Sequence, residues 1–459
     1  MKATLVLVLL LLAAGSATRG PEVNVSRAPG AQSEVAIAVD PSDPRVLVAG
    51  SNNFPGPTMR AYGSTDGGAS WTSANDPPLP RGAASACAGG DPALAIDGLG
   101  RQYYAFLAVR PCVESRKVGL FVATRAGPED AWRTPEAPVA PPASGALRTS
   151  FLVNDKPSLA VDNSPASPHY GRVYVAWSRL LPGPAWSISV SHSDDGGATW
   201  SKPVQVNDVN GRLFFASVAV GRDGTAYVGW IDADAIRVAI DRSTDGGDSF
   251  GRDRAAARYS AYSLTCRSGG APIPAQPTRC STAGPVVSVD ASAGAHAGRV
   301  YVTYANTGRN RSLDVFVAAF DRRLRPALGY PVRFLPKRVN PPDGRTPADQ
   351  FLPASAIDAT DGRLWVCFYD TAGDPRRVRA RFSCTVSASG GRRWSRVVRA
   401  ASVASDETAP GARQSFGYGD YAGLVVAGGV AHPIWTDTRD LKRLREEIYT
   451  TTLTVADLR

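Results

Sequence analysis

Apolar and polar residues alternate along this chain in runs of five to eight positions, and clusters of Gly, Asp and Pro separate the runs. That period of two with tight punctuation predicts short strands joined by turns, not helices. One run recurs six times: Gly100-Arg-Gln-Tyr-Tyr-Ala-Phe106, Gly171-Arg-Val-Tyr-Val-Ala-Trp177, Gly224-Thr-Ala-Tyr-Val-Gly-Trp230, Gly298-Arg-Val-Tyr-Val-Thr-Tyr304, Gly362-Arg-Leu-Trp-Val-Cys-Phe368 and Gly429-Val-Ala-His-Pro-Ile-Trp435. Each sets an aromatic six residues after a turn glycine. Pro44-Arg-Val-Leu-Val-Ala-Gly50 is a weaker earlier copy, so the chain holds seven units at a spacing of about 64 residues. A second strand precedes each copy and ends before an Asp in most units, as at Val39-Asp40, Ile96-Asp97, Val161-Asp162, Val289-Asp290 and Ile357-Asp358. Two more strands come after it. Four antiparallel strands per unit define a propeller blade, so the fold class is an all-β propeller of seven blades, with six the alternative.

The last unit offers only three strands, in Ala422–Val426, Ala431–Thr436 and Glu447–Thr454. Val23-Asn24-Val25 resembles Gln205-Val206-Asn207 and Arg338-Val339-Asn340 of other units, which assigns Glu22–Ser26 as the missing strand and leaves no open sheet edge. The expected organisation is a signal peptide over 1–17, then one propeller domain over 22–459 with an insertion over 251–283. The leader expectation rests on Lys2, the apolar run Leu5–Ala14 and the small residues before position 18. That run is too short to span a bilayer, and no later one is long enough, which predicts a secreted protein without a membrane span.

Composition narrows the function classes. The 459 residues include 45 Gly and 36 Pro, as suits many turns, and 43 % are hydrophobic, enough for a large core. The net charge of +10 is carried almost wholly by Arg, and no basic run is interleaved with aromatics, so nucleic acid is excluded as the expected partner. An extracellular or cell-surface glycan is expected instead, Arg being suited to carboxylates. Six Cys fall as close pairs and predict three disulfides, Cys87–Cys112, Cys266–Cys280 and Cys367–Cys384.

Four turns carry the pattern Ser-x-Asp-x-Gly-x-x-aromatic: Ser64 to Trp71, Ser193 to Trp200, Ser243 to Phe250, and Ser387 to Trp394 with Ser389 in place of Asp. The same residues at the same turn of several units serve the fold: the Asp accepts backbone N–H groups and the Gly permits positive φ. The pattern resembles the Asp box, or bacterial neuraminidase repeat, of sialidases and related secreted propellers. The resemblance implies a propeller whose site lies at the end opposite these turns, and an exo-sialidase-like glycosidase among the activities of that family.

Candidate chemistry therefore sits where the first strands begin and the second strands end. The second strands end on Asn52, Ala108, Arg179, Asp232, Asn306, Asp370 and Asp437, and the first strands begin near Glu34, Asp91, Asp155-Lys156, Phe214-Phe215, Gly284, Asp349-Gln350 and Asp420-Tyr421. The last unit is richest. Its Asp420, Tyr421, Asp437 and Arg439 are the expected catalytic group, with Glu34, Asp91, Arg179, Asp232, Asp370 and Trp435 as substrate-binding residues, since paired carboxylates serve as acid and base and aromatics stack on sugars. The Arg-Ile-Pro motif of sialidases is absent. Two readings result, a secreted sialidase-like glycoside hydrolase and a non-catalytic glycan- or protein-binding propeller. No cofactor is expected: the carboxylate-rich face offers oxygens of the kind Ca²⁺ takes, but no compact calcium loop is present.

Overall fold

The computed structural model describes residues 19–458 apart from 57, 74, 81–86, 110–117, 141–153, 182–184, 267–269, 283, 309–310, 328–336, 342–346 and 414–415. The expected leader and the Cys87–Cys112 pairing lie outside the described residues. The chain forms seven antiparallel blades around one axis, each running from the axis outward in sequence order. The innermost strands are Ala36–Val39, Cys87–Ile96, Asn154–Val161, Leu213–Val220, Val286–Val289, Gln350–Ile357 and Gly423–Ala427. Five blades are completed by their own fourth strand. In the second blade the outer edge is made by single bridges from Arg133 and Ala140 to the strand Val118–Arg125.

The seventh blade is completed from the other end of the sequence. Val23–Asn24 pairs antiparallel with Glu447–Thr450, in the register Val23↔Thr450 and Asn24↔Tyr449. Ser26 Oγ donates to Glu447 at 2.8 Å, and the Arg439 guanidinium reaches Glu22 at 2.7 Å. The ring is thus closed by an N-terminal strand, as the patterning predicts.

The recurring aromatic explains the blade contacts. Phe106, Trp177, Trp230, Tyr304, Phe368 and Trp435 are all fully buried in the clusters where blades pack. A large ring at the same depth of each strand buries roughly 150–250 Å², the main apolar contribution of each repeat. At the hairpin of the third and fourth strands, Ser64 Oγ donates to Asp66 and accepts from the Gly68 N–H, and Asp66 accepts both the N–H and the hydroxyl of Ser70, at 2.9 and 2.6 Å. The same contacts recur at Asp195 and Asp245. Gly68 has φ of 85°, which admits few other residues.

Among the described residues two disulfides are present, Cys367–Cys384 between facing strands of the sixth blade and Cys266–Cys280 in the excursion after the fourth. The start of that expected insertion differs from the sequence reading: Arg254–Arg258 is the outer strand of the fourth blade, because it pairs with Arg237–Ile240. The excursion leaves the blade only beyond Arg258. Its hairpin, Gly270–Ile273 with Gln276–Thr282, crosses to the sixth and seventh blades, where Ala271, Ile273 and Ala275 pack with Phe351 and Tyr418. Among the described residues no helix is long and apolar enough to cross a membrane.

Candidate functional site

The innermost strands begin in an unusual backbone. Glu34, Asp91, Lys156, Phe215 and Leu352 occupy corresponding places in five blades, and all have φ between 48° and 60°, a region that side chains other than glycine seldom adopt. In four of these strands the register then slips by a bulge, between Gly90 and Ala93, beside Ser158, between Phe214 and Ser217, and between Phe351 and Ala354. Bulges re-aim side chains, and strained residues gather at sites. The seven strands enclose an axial cavity of about 220 Å³ with apolar walls that include Ile37, Leu94, Leu159 and Leu424. At its mouth the ring is divided: blades seven and three bring Tyr421 and Lys156, with the buried Glu34 and Asp91 next to the lining residues Val35 and Pro92 of blades one and two, whereas blades four to six bring Phe215, Gly284 and Leu352.

The charged half is one network. Arg279, from the disulfide-bearing hairpin, donates from Nε to Asp420 Oδ1 at 3.0 Å and from Nη2 to Asp420 Oδ2, and reaches Glu34 Oε1 at 2.8 Å. Asn52 Nδ2 donates to the other oxygen of Glu34 at 2.5 Å, and its Oδ1 accepts the Asp91 N–H. Asp91 Oδ2 accepts the Lys156 N–H at 3.1 Å. The Lys156 ammonium lies over the ring of Tyr421, a cation–π contact, and the Tyr421 hydroxyl donates to the Pro92 carbonyl at 3.3 Å. Thr282 Oγ1 donates to the Asp420 carbonyl, tying the hairpin down a second time.

Burial sets the protonation of this cluster. It pushes the Glu34 carboxyl up to about 8, against the opposing pull of Arg279, and pushes Asp91 up to about 7, with Asp155 adding to the rise. Asp155 is held at about 6 by burial. Burial lowers the Lys156 ammonium to about 8 although Asp91 and Glu34 favour its charge. The Tyr421 phenol is raised well above its usual value by burial, so it holds its proton. Glu34 and Asp91, able to donate near neutrality, thus stand beside Asp155, which gives up its proton first, the separation that acid–base chemistry requires.

Of the residues expected from sequence, the structure brings Glu34, Asp91, Asp420 and Tyr421 together at the axis. The others lie one strand further out. Asp437 is fully enclosed; it accepts from Trp435 Nε1 at 2.9 Å and from Arg439 at 2.9 and 2.7 Å, and Arg439 also holds Glu22 and covers the Tyr449 ring. That group fastens the closing strand. Trp435 packs on Phe382 in the blade core. Asp232 pairs with Arg237 at 2.8 Å, and Asp370 accepts from Gln350 Nε2 and the Ala372 N–H. Arg179 sits in register with Asn154 and Ser187. Asp232, Asp370 and Asp437 thus bond to groups of their own blades, since the first strand stands between them and the axis, whereas Asn52 reaches in to Glu34 and Asp91. Arg279 escaped the sequence reading because it belongs to no repeat; the signal that marks it is its place beside Cys280 in the excursion. Among the described residues no group of acids, His or Cys is arranged to hold a metal ion.

Fold and site together define a seven-bladed β-propeller with a charged cluster at the mouth of its axial cavity. No protein-family model matches the sequence and no curated protein matches it significantly. Solved structures similar to it include a protein of unknown function from Dyadobacter fermentans, with TM-score 0.48, 13 % identity and coverage of 95 % of this chain and 98 % of that one. The Hadza microbial sialidase Hz136 is similar at 14 % identity over 90 % of this chain and 76 % of its own, with TM-score 0.43. An α-L-arabinanase of Penicillium chrysogenum complexed with arabinobiose is similar at 11 % over 80 % and 94 %, with TM-score 0.45. Likeness of this degree carries no argument about activity.

Proposed function

We propose that this protein is a secreted propeller that acts on extracellular glycans, as a sialidase-like glycoside hydrolase in architecture, through the cluster at the axial mouth. The observation that carries the reading is the juxtaposition of Asp420, Lys156 and Tyr421, which line the cavity, with the acids Glu34, Asp91 and Asp155 adjoining them. In this reading Asp91, which keeps its proton to about pH 7, is the donor to the leaving oxygen. Asp420, which lines the cavity, faces the positive charge that develops at the reacting carbon. Glu34 and Arg279 are positioning residues that hold Asp420. The Ser-x-Asp-x-Gly turns at the opposite end and the two disulfides support a secreted propeller of this kind. Release of fluorophore from a panel of glycosides, lost in Asp91→Asn and Asp420→Asn proteins that keep the wild-type melting curve, supports it.

One observation favours a binding propeller without turnover: Arg279 engages both Glu34 and Asp420, so these acids already have an internal partner. Retention of glycans on an array with no product from any glycoside establishes that reading instead.

A further inference from the structure

Among the described residues the walls of the axial cavity carry one cation, Lys156, and one anion, Asp420. Both cations near the mouth already lie in the field of this chain's own acids. Arg279 spends its planar fork on Asp420 and reaches Glu34 with the same Nη2. The Lys156 ammonium lies over the Tyr421 ring, and Asp91, Glu34, Asp420 and Asp155 are near enough to favour its charge. Four carboxyl groups therefore share two cations in a half-buried space. A carboxylate or sulfate on an incoming sugar meets these acids there, and to claim the Arg279 guanidinium it has to displace Asp420. The displaced acid is left buried without its partner, which is strongly unfavourable.

Building on the glycan reading of this site, we propose that the axial site selects uncharged sugar rings and excludes anionic ones, with Arg279 acting as an internal counter-ion to Asp420, which fills the place of a substrate carboxylate. Lys156 over Tyr421 and the apolar half of the mouth, Phe215 and Leu352, then offer one polar and one apolar side to a neutral ring. Specificity here comes from occupied charge, not from an added wall.

The test is binding of the full chain, without its leader, to an array of neutral glycans and of sialylated, uronate-containing and sulfated ones. The array is read at physiological and at high salt, beside hydrolysis of the corresponding fluorogenic glycosides. Neutral glycans bound at least ~10-fold more tightly than anionic ones, with the gap narrowing as salt screens the cluster, are the expected result. Anionic glycans bound equally or better overturn the exclusion while leaving the glycan reading intact. Binding of neither class overturns both. The double substitution Glu34→Gln with Asp420→Asn frees the guanidinium and is expected to raise affinity for anionic glycans by ~10-fold or more. If a folded double variant shows no gain, the counter-ion role is wrong; if that variant does not fold, the wild-type array alone decides.

Discussion

The two ends of the propeller use the same side chain in opposite ways. At the outer hairpins Asp66, Asp195 and Asp245 sit in near-identical turns, each accepting from the hydroxyl two residues before it and from the N–H and hydroxyl four residues after it. For Asp66 the Ser70 hydroxyl is the leading cause that holds its carboxyl below the usual range; at Asp245 burial pulls up, but the Ser243 and Ser249 hydroxyls hold the group at about 2. At the axial mouth Glu34, Asp91 and Asp155 differ from blade to blade and are raised by burial. Repetition with donors supplied marks a turn that builds the ring. Divergence under burial is the pattern expected of the site proposed above.

The largest effect that separates the two ends is on turnover. Asp91→Asn is expected to lower hydrolysis by ~10²-fold or more with little change in melting temperature, as removal of a general acid does. Asp195→Asn is expected to leave turnover unchanged and lower the melting temperature by roughly 1–3 °C. Steady-state kinetics and thermal melts on both proteins break the comparison if they show the reverse.

The pH response comes next, because the two ends have opposite sign. Glu34 rises from 4.5 to about 8, and Asp91 and Asp155 rise from 3.8 to about 7 and about 6. Folding therefore takes up protons between about pH 4 and 8, and the stabilisation, complete below about 4, is lost as pH rises through that window. Asp245, held at about 2, contributes stability above 3.8 that is lost as pH falls toward 2. A melting profile with a maximum at mildly acid pH is expected. Glu34→Gln should flatten its alkaline limb and Asp245→Asn its acid limb. Turnover should decline above about pH 7 as Asp91 loses its proton.

A smaller effect concerns the hairpin that carries Arg279. Cys266→Ser with Cys280→Ser opens a loop of 14 residues, and is expected to cost about 2 kcal/mol and to raise KM several-fold as Arg279 loses its fixed approach to Asp420. Calorimetry, and kinetics with whichever glycoside is turned over, check both parts. The smallest effect returns to the turns. In the sixth blade Ser389 accepts the Arg393 N–H at 2.8 Å as the Asp does elsewhere, and Ser389→Asp, which gains a carboxylate for that N–H and the Ser387 hydroxyl, should stabilise by about 0.5 kcal/mol without altering turnover.

The architecture was legible because each blade repeats the same physical demands. A glycine at a tight turn and an aromatic in the blade interface leave their spacing in the sequence, and the unpaired edge of the last blade named its own partner in Val23–Asn24. The site was legible in part. Glu34, Asp91, Asp155-Lys156 and Asp420-Tyr421 stood out as departures at one repeated position. Asp437 and Arg439 looked equivalent, since a second-strand end also shows carboxylates, but those close turns or hold neighbours: Asp437 serves Trp435 and Arg439, and Asp232 serves Arg237. Arg279 had no position to depart from. Its contacts depend on an excursion that leaves the fourth blade and lands on the seventh, a path set by the packing of Ala271 and Ile273 and by no local pattern.

The latch between Val23–Asn24 and Glu447–Thr450 joins residues some 425 apart in sequence. A chain that emerges in order presents one half of this latch first and the other half within the last blade to be made. Pairing so remote in sequence forms late, and the penalty for bringing its halves together grows only slowly with the length between them. Assembly of the ring is therefore a progressive stacking ended by a single locking step. The seam it leaves is the natural place to join the two segments and open the circle elsewhere, giving a permuted chain with the same blades and the same axial mouth.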